Sequence, residues 1–458
     1  MKVIICGAGQ VGSTIARYLL SDNNDVTIID NSSELIEKIS SNLDVQTVLG
    51  HASHPKVLER AGARDADMLI AVTNTDEINM VSCQVAHSLF NVPVKIARIR
   101  SQDYLQPLWA SLYDDDNMPV DVIISPEVEI AKAVIRKLEI PGAIEVIPLV
   151  DDKVRLISVR CSDECPVINT PMRQISNLFP DLNMVIVGII RDNKPILPKA
   201  DEQIKKDDEV YFVVDSKQTE RAMSTFGCEA AEARRILIFG GGGVGFCMAK
   251  ELEKKSNNLY CKVIEIDSDR AKMIAAELEE AVVINGDALE SDILQEAGIY
   301  SSEATIAVTN DDEVNLLSSL LAKRFGVPRT ATLINNPTYN SLIHNLGVDT
   351  VIDPRAITVS TILQKVRKGR IHSAYSIHEG FGEIIEADAL ETSPLIGKPL
   401  RDIRFPPGVM LGAIVRDDQV INPTGLTEIE VGDRIVVFAA TGSVKNVEKF
   451  FSVGLEYF

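Results

Sequence analysis

The sequence predicts an α/β protein with two Rossmann-like domains, each built on a doubly wound parallel sheet and each followed by a small α+β domain. Strand and helix patterns alternate over residues 1–140 and again over 228–370, which is typical of parallel sheets with right-handed crossovers. Strand-rich segments with turn residues follow at 141–227 and 371–458. The second pair of segments repeats the motifs of the first, so the chain is predicted to be a tandem duplication.

The first strand ends in a glycine motif that favours nucleotide binding. Gly7, Gly9 and Gly12 occupy the positions of G-x-G-x-x-G between a predicted strand and a predicted helix. Gly7 allows the tight turn, Gly9 lets the backbone approach a pyrophosphate, and Gly12 lets the helix lie against the strand. Asp30 ends the next strand, where a carboxylate accepts ribose hydroxyls. The alternative is a strand-helix turn that binds nothing.

The second half restates this unit. Its segment RILIFGGGGVG fills the three motif positions with Gly240, Gly242 and Gly245. Glu265 ends the following strand and takes the place of Asp30, whereas Asp267 is expected to cap the next helix, although it competes for the ribose role. The run of four glycines at 240–243 predicts a more flexible loop than GAGQVG.

Further motifs repeat at constant spacing. LGHASHPKVLERAG corresponds to INGDALESDILQEAG, and AVTNTDEIN corresponds to AVTNDDEVN. Thr309 is therefore the equivalent of Thr73. In the strand-rich segments, Arg191-Asp192 and Arg416-Asp417 stand at matching predicted hairpin turns. A duplication of the whole two-domain unit explains all of these matches.

The two halves differ in charge at equivalent positions. Arg98 and Arg100 stand where the second half has Leu333 and Asn335. Because guanidinium groups suit terminal phosphates, we expect the first half to take more highly phosphorylated nucleotides. The second half has Asp287 after its third strand where the first half has a histidine, and an acid there favours NAD-like or adenosine ligands. The alternative is that the arginines form ordinary surface ion pairs.

Composition excludes several classes of function. The net charge of -20, evenly spread, argues against nucleic acid or an anionic membrane as a direct ligand. No apolar run approaches the ~20 residues of a membrane helix, so no membrane insertion is expected. The seven cysteines form an odd set that is typical of a reduced compartment. Cys161 and Cys165 have no second pair, and no metal site is predicted.

An enzyme is the weaker hypothesis. A dehydrogenase needs a substrate pocket and an acid-base residue beside the nicotinamide. The chain has six histidines, at scattered positions, and shows no P-loop, H-E-x-x-H or G-x-S-x-G motif. These histidines are His51, His54, His87, His344, His372 and His378. No catalytic residue is predicted, and an NAD-dependent oxidoreductase stays open as the alternative.

The motifs together resemble a known family. GAGQVG, LGHASHP, VTNTDEINM, FNVP with IARIRS, GGGGVG and AVTNDDEVN are similar to the RCK (regulator of K+ conductance, or KTN) family. The resemblance covers the whole chain, in the tandem order of two nucleotide-binding domains each followed by an RCK-C domain. Single-unit members of the family would supply only half of it.

The resemblance implies a regulatory function. It implies that the chain binds NAD(H) and ATP/ADP and forms a homo-oligomeric ring of RCK units, as a tetramer or a dimer of dimers. It also implies docking on a TrkH-type or TrkG-type membrane potassium channel subunit at the cytoplasmic face of the inner membrane. Control of potassium flow would then follow from ligand-dependent changes in the ring. A regulator of a different transporter is a further alternative.

The nucleotide-binding residues follow from the motifs and the resemblance. In the first half they are Gly7, Ala8, Gly9, Gln10, Val11, Gly12, Asp30, Thr73, Asn74, Arg98 and Arg100. In the second half they are Gly240, Gly241, Gly242, Gly243, Val244, Gly245, Glu265, Asp287 and Thr309. The predicted helices at 127–139 and 355–368 are expected to pack between units and to carry the motion.

Overall fold

The structure is a computed structural model that describes residues 1–21, 24–114, 116–192, 194–229, 231–255, 259–339, 346–366, 371–377, 381–391, 393–444 and 447. His344, His378 and residues 367 and 368 of the second predicted inter-unit helix lie outside the described residues. The chain forms two compact units. One contains Met1–Val134 and Arg234–Leu363, and the other contains Ile135–Ala233 and Gln364–Phe458. The four predicted domain boundaries stay predictions.

The elements of the first half, numbered in chain order, alternate between strand and helix before a strand-rich segment. They are β1 Lys2–Cys6, α1 Gln10–Ser21, β2 Asp25–Asp30, α2 Ser33–Asn42, β3 Gln46–Leu49, α3 Pro55–Arg60, β4 Met68–Ala71, α4 Asp76–Phe90, β5 Val94–Arg98, β6 Val122–Ile124, α5 Pro126–Glu139, β7 Ala143–Leu149, β8 Val154–Arg160, α6 Met172–Leu178, β9 Met184–Arg191, β10 Lys194–Ile196, β11 Glu209–Asp215 and α7 Thr219–Thr225. Short 3-10 helices occupy Ala63–Asp65, Gln102–Leu105, Pro107–Tyr113 and Ser216–Gln218.

The second half repeats this order. Its elements are β12 Arg235–Phe239, α8 Gly243–Glu253, β13 Tyr260–Glu265, α9 Ser268–Glu277, β14 Val282–Asn285, α10 Ser291–Ala297, β15 Ala304–Ala307, α11 Asp312–Arg324, β16 Arg329–Leu333, β17 Thr350–Ile352, α12 Pro354–Val366, β18 Ile371–Ile377, β19 Gly382–Asp388, β20 Val409–Arg416, β21 Gln419–Ile421 and β22 Arg434–Ala440. Its 3-10 helices occupy Ile299–Ser301, Pro337–Tyr339 and Leu400–Asp402.

The first unit contains two parallel sheets of the same topology. Their strand orders are β3-β2-β1-β4-β5-β6 and β14-β13-β12-β15-β16-β17. In each sheet the order reverses between the first and fourth strands, and ligands of doubly wound sheets bind in the crevice beyond the carboxyl ends at this point. The glycine loop after β1 and Thr73 after β4 therefore lie at the switch point of the first sheet. The predicted fold class is confirmed.

Apolar strands explain why the first unit folds in this way. The residues of β1 from Val3 to Cys6 are buried, and so is all of β4. Strands buried on both faces are typical of parallel sheets covered by helices. Helices α2 and α9 begin at side-chain caps, since Ser32 accepts from the Leu35 N–H and Asp267 accepts from the Arg270 N–H. The expected cap role of Asp267 is therefore what the structure shows.

The second unit contains two antiparallel sheets that share one core. Their orders, β10-β9-β11-β8-β7 and β18-β19-β22-β20-β21, are equivalent when the halves are aligned. Tyr211 and Phe438 both contact Phe381, with ring centroids 6.1 and 4.9 Å apart. Gly188 leaves room for this ring, since an added Cβ would lie 2.4 Å from it. The strand-rich segments therefore form a pair of packed domains.

The arginines of the two matching Arg-Asp turns form ion pairs with aspartates further along the chain. Arg191 binds Asp208 through Nε and Nη2, each at 2.8 Å, and Arg416 binds Asp433 in the same way. Both aspartates are buried, so these forked ion pairs are structural.

None of the helices in the described ranges combines the length and the apolar character that a membrane span requires.

Candidate functional site

The first glycine loop makes a close contact between helix and strand. Gly7 has a φ of +116° and its N–H donates to the Ile29 carbonyl at 2.8 Å. A Cβ on Gly12 would lie 1.9 Å from the Gly7 carbonyl oxygen. Gly240 and Gly245 repeat this contact, also at 1.9 Å. These glycines are required by the fold, whether or not a ligand binds.

The middle glycines have a different environment. A Cβ added to Gly9 or to Gly242 would meet no atom within 4 Å, and Gly242 has an ordinary φ of -62°. The chain itself therefore does not require glycine at either position. Gly9 precedes α1 and Gly242 caps α8, where the first N–H groups of a helix face outward with the positive end of the dipole. This arrangement leaves room for an anion close to the backbone.

The predicted ribose acids are anchored by their own loops. Asp30 accepts the Ala8 N–H at 2.6 Å and the Ser32 N–H at 2.8 Å. Glu265 accepts the Gly241 N–H at 2.7 Å and the Asp267 N–H at 2.9 Å. Each carboxylate oxygen has a further lone pair, so both acids retain acceptor capacity for a hydroxyl.

Packing explains the run of four glycines in the second loop. A Cβ on Gly241 would lie 2.5 Å from Ile274 Cδ1, and one on Gly243 would lie 2.8 Å from Glu127 Cγ. Gly241 is also held from both sides, because its N–H binds Glu265 and its carbonyl accepts Arg270 Nε at 2.9 Å. Sequence spacing does not reveal these contacts, and the expected flexibility of the loop stays a prediction.

Arg270 is a residue that sequence reasoning missed. It lies on α9 close to the second loop, with its guanidinium carbon 5.5 Å from the centre of the Phe246 ring. The first half has Leu35 at this position, and Ala8 in place of Gly241. The second site thus has an arginine and a glycine where the first has a leucine and an alanine.

A buried asparagine connects two strand ends in each half. Asn79 Oδ1 accepts from the N–H and hydroxyl of Thr73 at 2.9 and 2.7 Å, and its Nδ2 donates to the Arg98 carbonyl at 2.8 Å. Asn315 makes the same bonds to Thr309 and to the Leu333 carbonyl. Both threonines are thus partly engaged in the scaffold, whereas Asn74 is exposed. Sequence reasoning gave the asparagines no role, although they belong to the repeated motif.

Two arginines lie at the carboxyl end of β5, the strand beside β4 in the first sheet. Arg98 is half-buried, and its Nε has no hydrogen-bond partner among the residues that the structure describes. Burial lowers the pKa of Arg98, and the nearby Arg100 lowers it further. Arg100 is exposed, and its Nε donates to Glu127 Oε1 at 3.0 Å. The predicted pair is therefore unequal, because among the described residues Arg100 has a carboxylate hydrogen-bond partner for its Nε and Arg98 has none.

The same region of the second half is acidic. A cavity of about 260 Å³ is lined by Asn310, Asp311, Asp312, Glu313, Asn335, Asn336 and Tyr339. The Val314 N–H lowers the pKa of Asp311, which keeps that carboxylate ionised. Asp287 is half-buried and accepts the Leu289 N–H at 2.8 Å. Asp312 and Glu313 match Asp76 and Glu77 of the first half, so only Asp311 adds an acid to this cavity.

The cysteines and other metal-binding side chains are not clustered in the described part of the chain. Among the described residues, no group of three or more His, Cys, Asp or Glu side chains could hold a metal ion. Cys161 and Cys165 are free thiols in the core of the first strand-rich domain. The hydrogen bond with Cys165, and then burial, raise the pKa of Cys161, so it stays protonated near neutral pH.

The fold and the two loops define a tandem protein of the Rossmann type. Models of the TrkA-N domain match residues 3–126 and 236–354, and models of the TrkA-C domain match 156–227 and 384–452. The chain is 50% identical to the Trk system potassium uptake protein TrkA of Azorhizobium caulinodans, over the full length of both. It is 40% identical to that of Vibrio alginolyticus, over 98% of each chain. The chain belongs to the TrkA family.

Solved structures agree on the fold. The RCK domain of GsuK has a TM-score of 0.59 at 18% identity, covering 98% of this chain and 94% of that one. The GsuK channel bound to NAD has a TM-score of 0.59 at 18% identity, covering 98% and 78%. The predicted resemblance is confirmed, and the family is named for potassium uptake rather than for a reaction, in agreement with a chain that is not an enzyme.

Replacing Asn79 by alanine should destabilise the first domain. The change leaves the Thr73 N–H and the Arg98 carbonyl without their partner in a buried place, which costs about 2–3 kcal/mol. Asn74→Ala, in the loop before the same helix, is the matched control, since that side chain is exposed and its removal should change stability by no more than about 0.5 kcal/mol. Urea unfolding checks this, and equal midpoints for the two variants would contradict it.

Proposed function

We propose that this chain is a nucleotide-sensing regulatory subunit that gates a Trk-type membrane potassium channel. The observation that carries the proposal is the open space at Gly9 and Gly242, where the fold does not need glycine. A glycine that no atom of the chain requires, at the N-terminal end of a helix, is suited to a phosphate that approaches the backbone. Membership of the TrkA family supplies the connection to potassium uptake.

The ligands of this proposal are NAD(H) and ATP/ADP. The binding residues are those predicted from sequence, with each loop facing the phosphates and Asp30 or Glu265 accepting ribose hydroxyls. A solved GsuK channel of the same fold is bound to NAD, which supports a dinucleotide as one ligand. The unpartnered Nε of Arg98 in the first half, and Asp311 where the first half has Thr75, support the assignment of terminal phosphates to the first site.

Gating is a population shift. A nucleotide that fits one arrangement of the subunits better than another favours it by the difference in binding free energy. To convert a 1:99 mixture into 99:1, a ligand must bind the favoured state about 10⁴-fold more tightly. ATP and ADP can report the energy state of the cell only if the ratio of affinities for the two arrangements differs between the two nucleotides. The first site supplies a physical basis, because Arg98 keeps an Nε donor that has no partner among the described residues and that can bind a further phosphate.

The partner of the proposal is a TrkH-type or TrkG-type channel subunit. We place the chain on the cytoplasmic face of the inner membrane, held by that subunit, in a homo-oligomeric ring of RCK units. Helices α5 and α12 are the elements proposed to pack between RCK units of the ring. Both are helical over the described part of the predicted ranges.

Blocking one loop should abolish binding at one site. Gly9→Asp and Gly242→Asp each place a carboxylate in the open space before a helix, where it fills the anion position without meeting the protein. Calorimetric titration with NADH, NAD, ATP and ADP should show each variant losing one half of the binding, with unfolding midpoints unchanged. Gly12→Ala is the contrast, because its Cβ would collide with Gly7 and lower stability.

Two results would overturn this expectation. Failure of the wild-type chain to bind any of the four nucleotides would make the loops structural turns. Steady oxidation of NADH with a small substrate would favour the oxidoreductase alternative.

Removing the first-half guanidinium pair should weaken ATP binding selectively. In the Gly242→Asp background, Arg98→Ala with Arg100→Ala removes charge-assisted bonds, and the ATP dissociation constant should rise about tenfold or more. Binding of adenosine monophosphate should change much less. Equal losses for both nucleotides, or none, would leave the arginines as surface ion pairs.

Channel gating should depend on the same loops. Potassium flux into vesicles that contain the purified channel subunit with this chain should respond to nucleotide, and the Gly9→Asp Gly242→Asp double variant should bind the channel without responding. The physical reason is that a ligand excluded from both sites cannot shift the ring. Persistent nucleotide response in the double variant would contradict the proposal.

A further inference from the structure

The first turns of α5 and α12 each lie against the glycine loop of the other half. Arg355, at the start of α12, donates from Nη1 to the Gln10 Oε1 atom of the first loop. Glu127, at the start of α5, approaches Gly243 of the second loop so closely that a Cβ there would lie 2.8 Å from its Cγ. The two residues occupy equivalent positions, in Ser-Pro-Glu and Asp-Pro-Arg. The halves therefore exchange side chains of opposite charge.

Arg355 is placed to meet an anion on the first loop. Its side chain is 23% exposed, and its Nε is buried without a hydrogen-bond partner among the residues that the structure describes. Asp353 forms an ion pair with Arg355, but its Oδ1 lies 3.6 Å from Nε, which is too far for a hydrogen bond. That carboxylate already accepts the Arg355 N–H at 2.9 Å and the Ala356 N–H at 3.2 Å. The guanidinium thus keeps donor capacity that Asp353 does not use.

The contact with Gln10 fixes where this capacity lies. Gln10 is the first residue of α1 and directly follows Gly9, whose outer side is open. A guanidinium held at this residue is beside the N-terminal end of the helix, where a phosphate is favoured by the dipole. Its planar fork matches two phosphate oxygens. The hydrogen bond to Gln10 therefore positions the Arg355 guanidinium next to the first loop.

The second loop receives the opposite charge. Glu127 is 9% exposed, with Oε1 bound to Arg100 and Oε2 buried without a hydrogen-bond partner in the described part of the chain. A buried carboxylate beside the loop opposes phosphate charge. The exchange thus places a guanidinium at the first loop and, at the second loop, a carboxylate whose charge Arg100 partly offsets.

We propose that Arg355, from the second half, is a phosphate-binding residue of the first nucleotide site. It supplies a guanidinium to the polyphosphate of the nucleotide held by residues 7–12, so that this ligand contacts both halves at once. The inference rests on the proposed nucleotide function of the first loop and adds a residue that no motif of the first half contains. Polyphosphate preference at the first site then depends on the second half.

The test uses the full-length chain with Gly242→Asp, so that only the first site binds. We compare Arg355→Ala, Arg355→Lys and Arg355→Glu with Arg64→Ala, a control that removes an exposed arginine paired with Glu59 in the same unit. For ATP, the dissociation constant should rise about tenfold or more in Arg355→Ala, since one charge-assisted contact is lost, and further in Arg355→Glu. Arg355→Lys should recover part of the affinity, and adenosine monophosphate should respond less than ATP.

Two readouts separate a ligand contact from a structural role. The salt dependence of ATP binding should become shallower in Arg355→Ala, because a charge contact is lost. The unfolding midpoint without nucleotide should match that of Arg64→Ala.

The outcomes are distinct. ATP binding that is lost with Gly9→Asp but equal in Arg355→Ala and Arg64→Ala would overturn the role of Arg355 and leave the proposed function standing. Absence of ATP binding in the Gly242→Asp chain, before any change at Arg355, would instead overturn the proposed function of the first loop. A midpoint that falls in Arg355→Ala, with affinity restored at lower temperature, would make Arg355 a structural contact.

Discussion

The contact between Gly12 and the Gly7 carbonyl is the constraint on which the first site depends. An added Cβ at Gly12 would lie 1.9 Å from that oxygen, so the helix packs against the strand end only because Cβ is missing. This contact brings the start of α1 to the carboxyl edge of the sheet, beside the Thr73 turn. The open position at Gly9 and the anchoring of Asp30 by Ala8 follow from it. Gly245 and Gly240 reproduce the same constraint in the second half.

Local patterns were sufficient for the scaffold but not for the charges around it. The strands, the loops and the acids follow from spacing within about thirty residues, which periodicity and glycine position report directly. Asn79 lies in a repeated motif, yet its role needs the Arg98 carbonyl on another strand. Arg355 and Gln10 are 345 residues apart in the chain, so no local pattern connects them. Arg270 was missed for a different reason, because its partner is a backbone carbonyl, which leaves no signal in the sequence.

The duplication preserved hydrogen bonds and changed electrostatics. Asn79 and Asn315 make the same bonds in both halves, because buried strand ends need partners whatever the ligand. Several residues of the loop differ together between the halves. The second half has Gly241 and Glu265 where the first half has Ala8 and Asp30. Gly241 packs against Ile274, and its carbonyl accepts a hydrogen bond from Arg270. A larger acid and a smaller loop residue fill similar space. The difference between the sites therefore lies in charge and in local packing, while the topology is shared.

Exchange of side chains between the halves has a thermodynamic consequence. A nucleotide that touches only its own half can favour one arrangement of the halves only indirectly. A phosphate that contacts Arg355 across the loop loses that contact when the halves separate, so its binding free energy depends on their arrangement. Such a difference is what a ligand needs in order to shift a conformational equilibrium. The exchanged arginine thus links phosphate number to arrangement, because a ligand without the phosphate has no contact to lose.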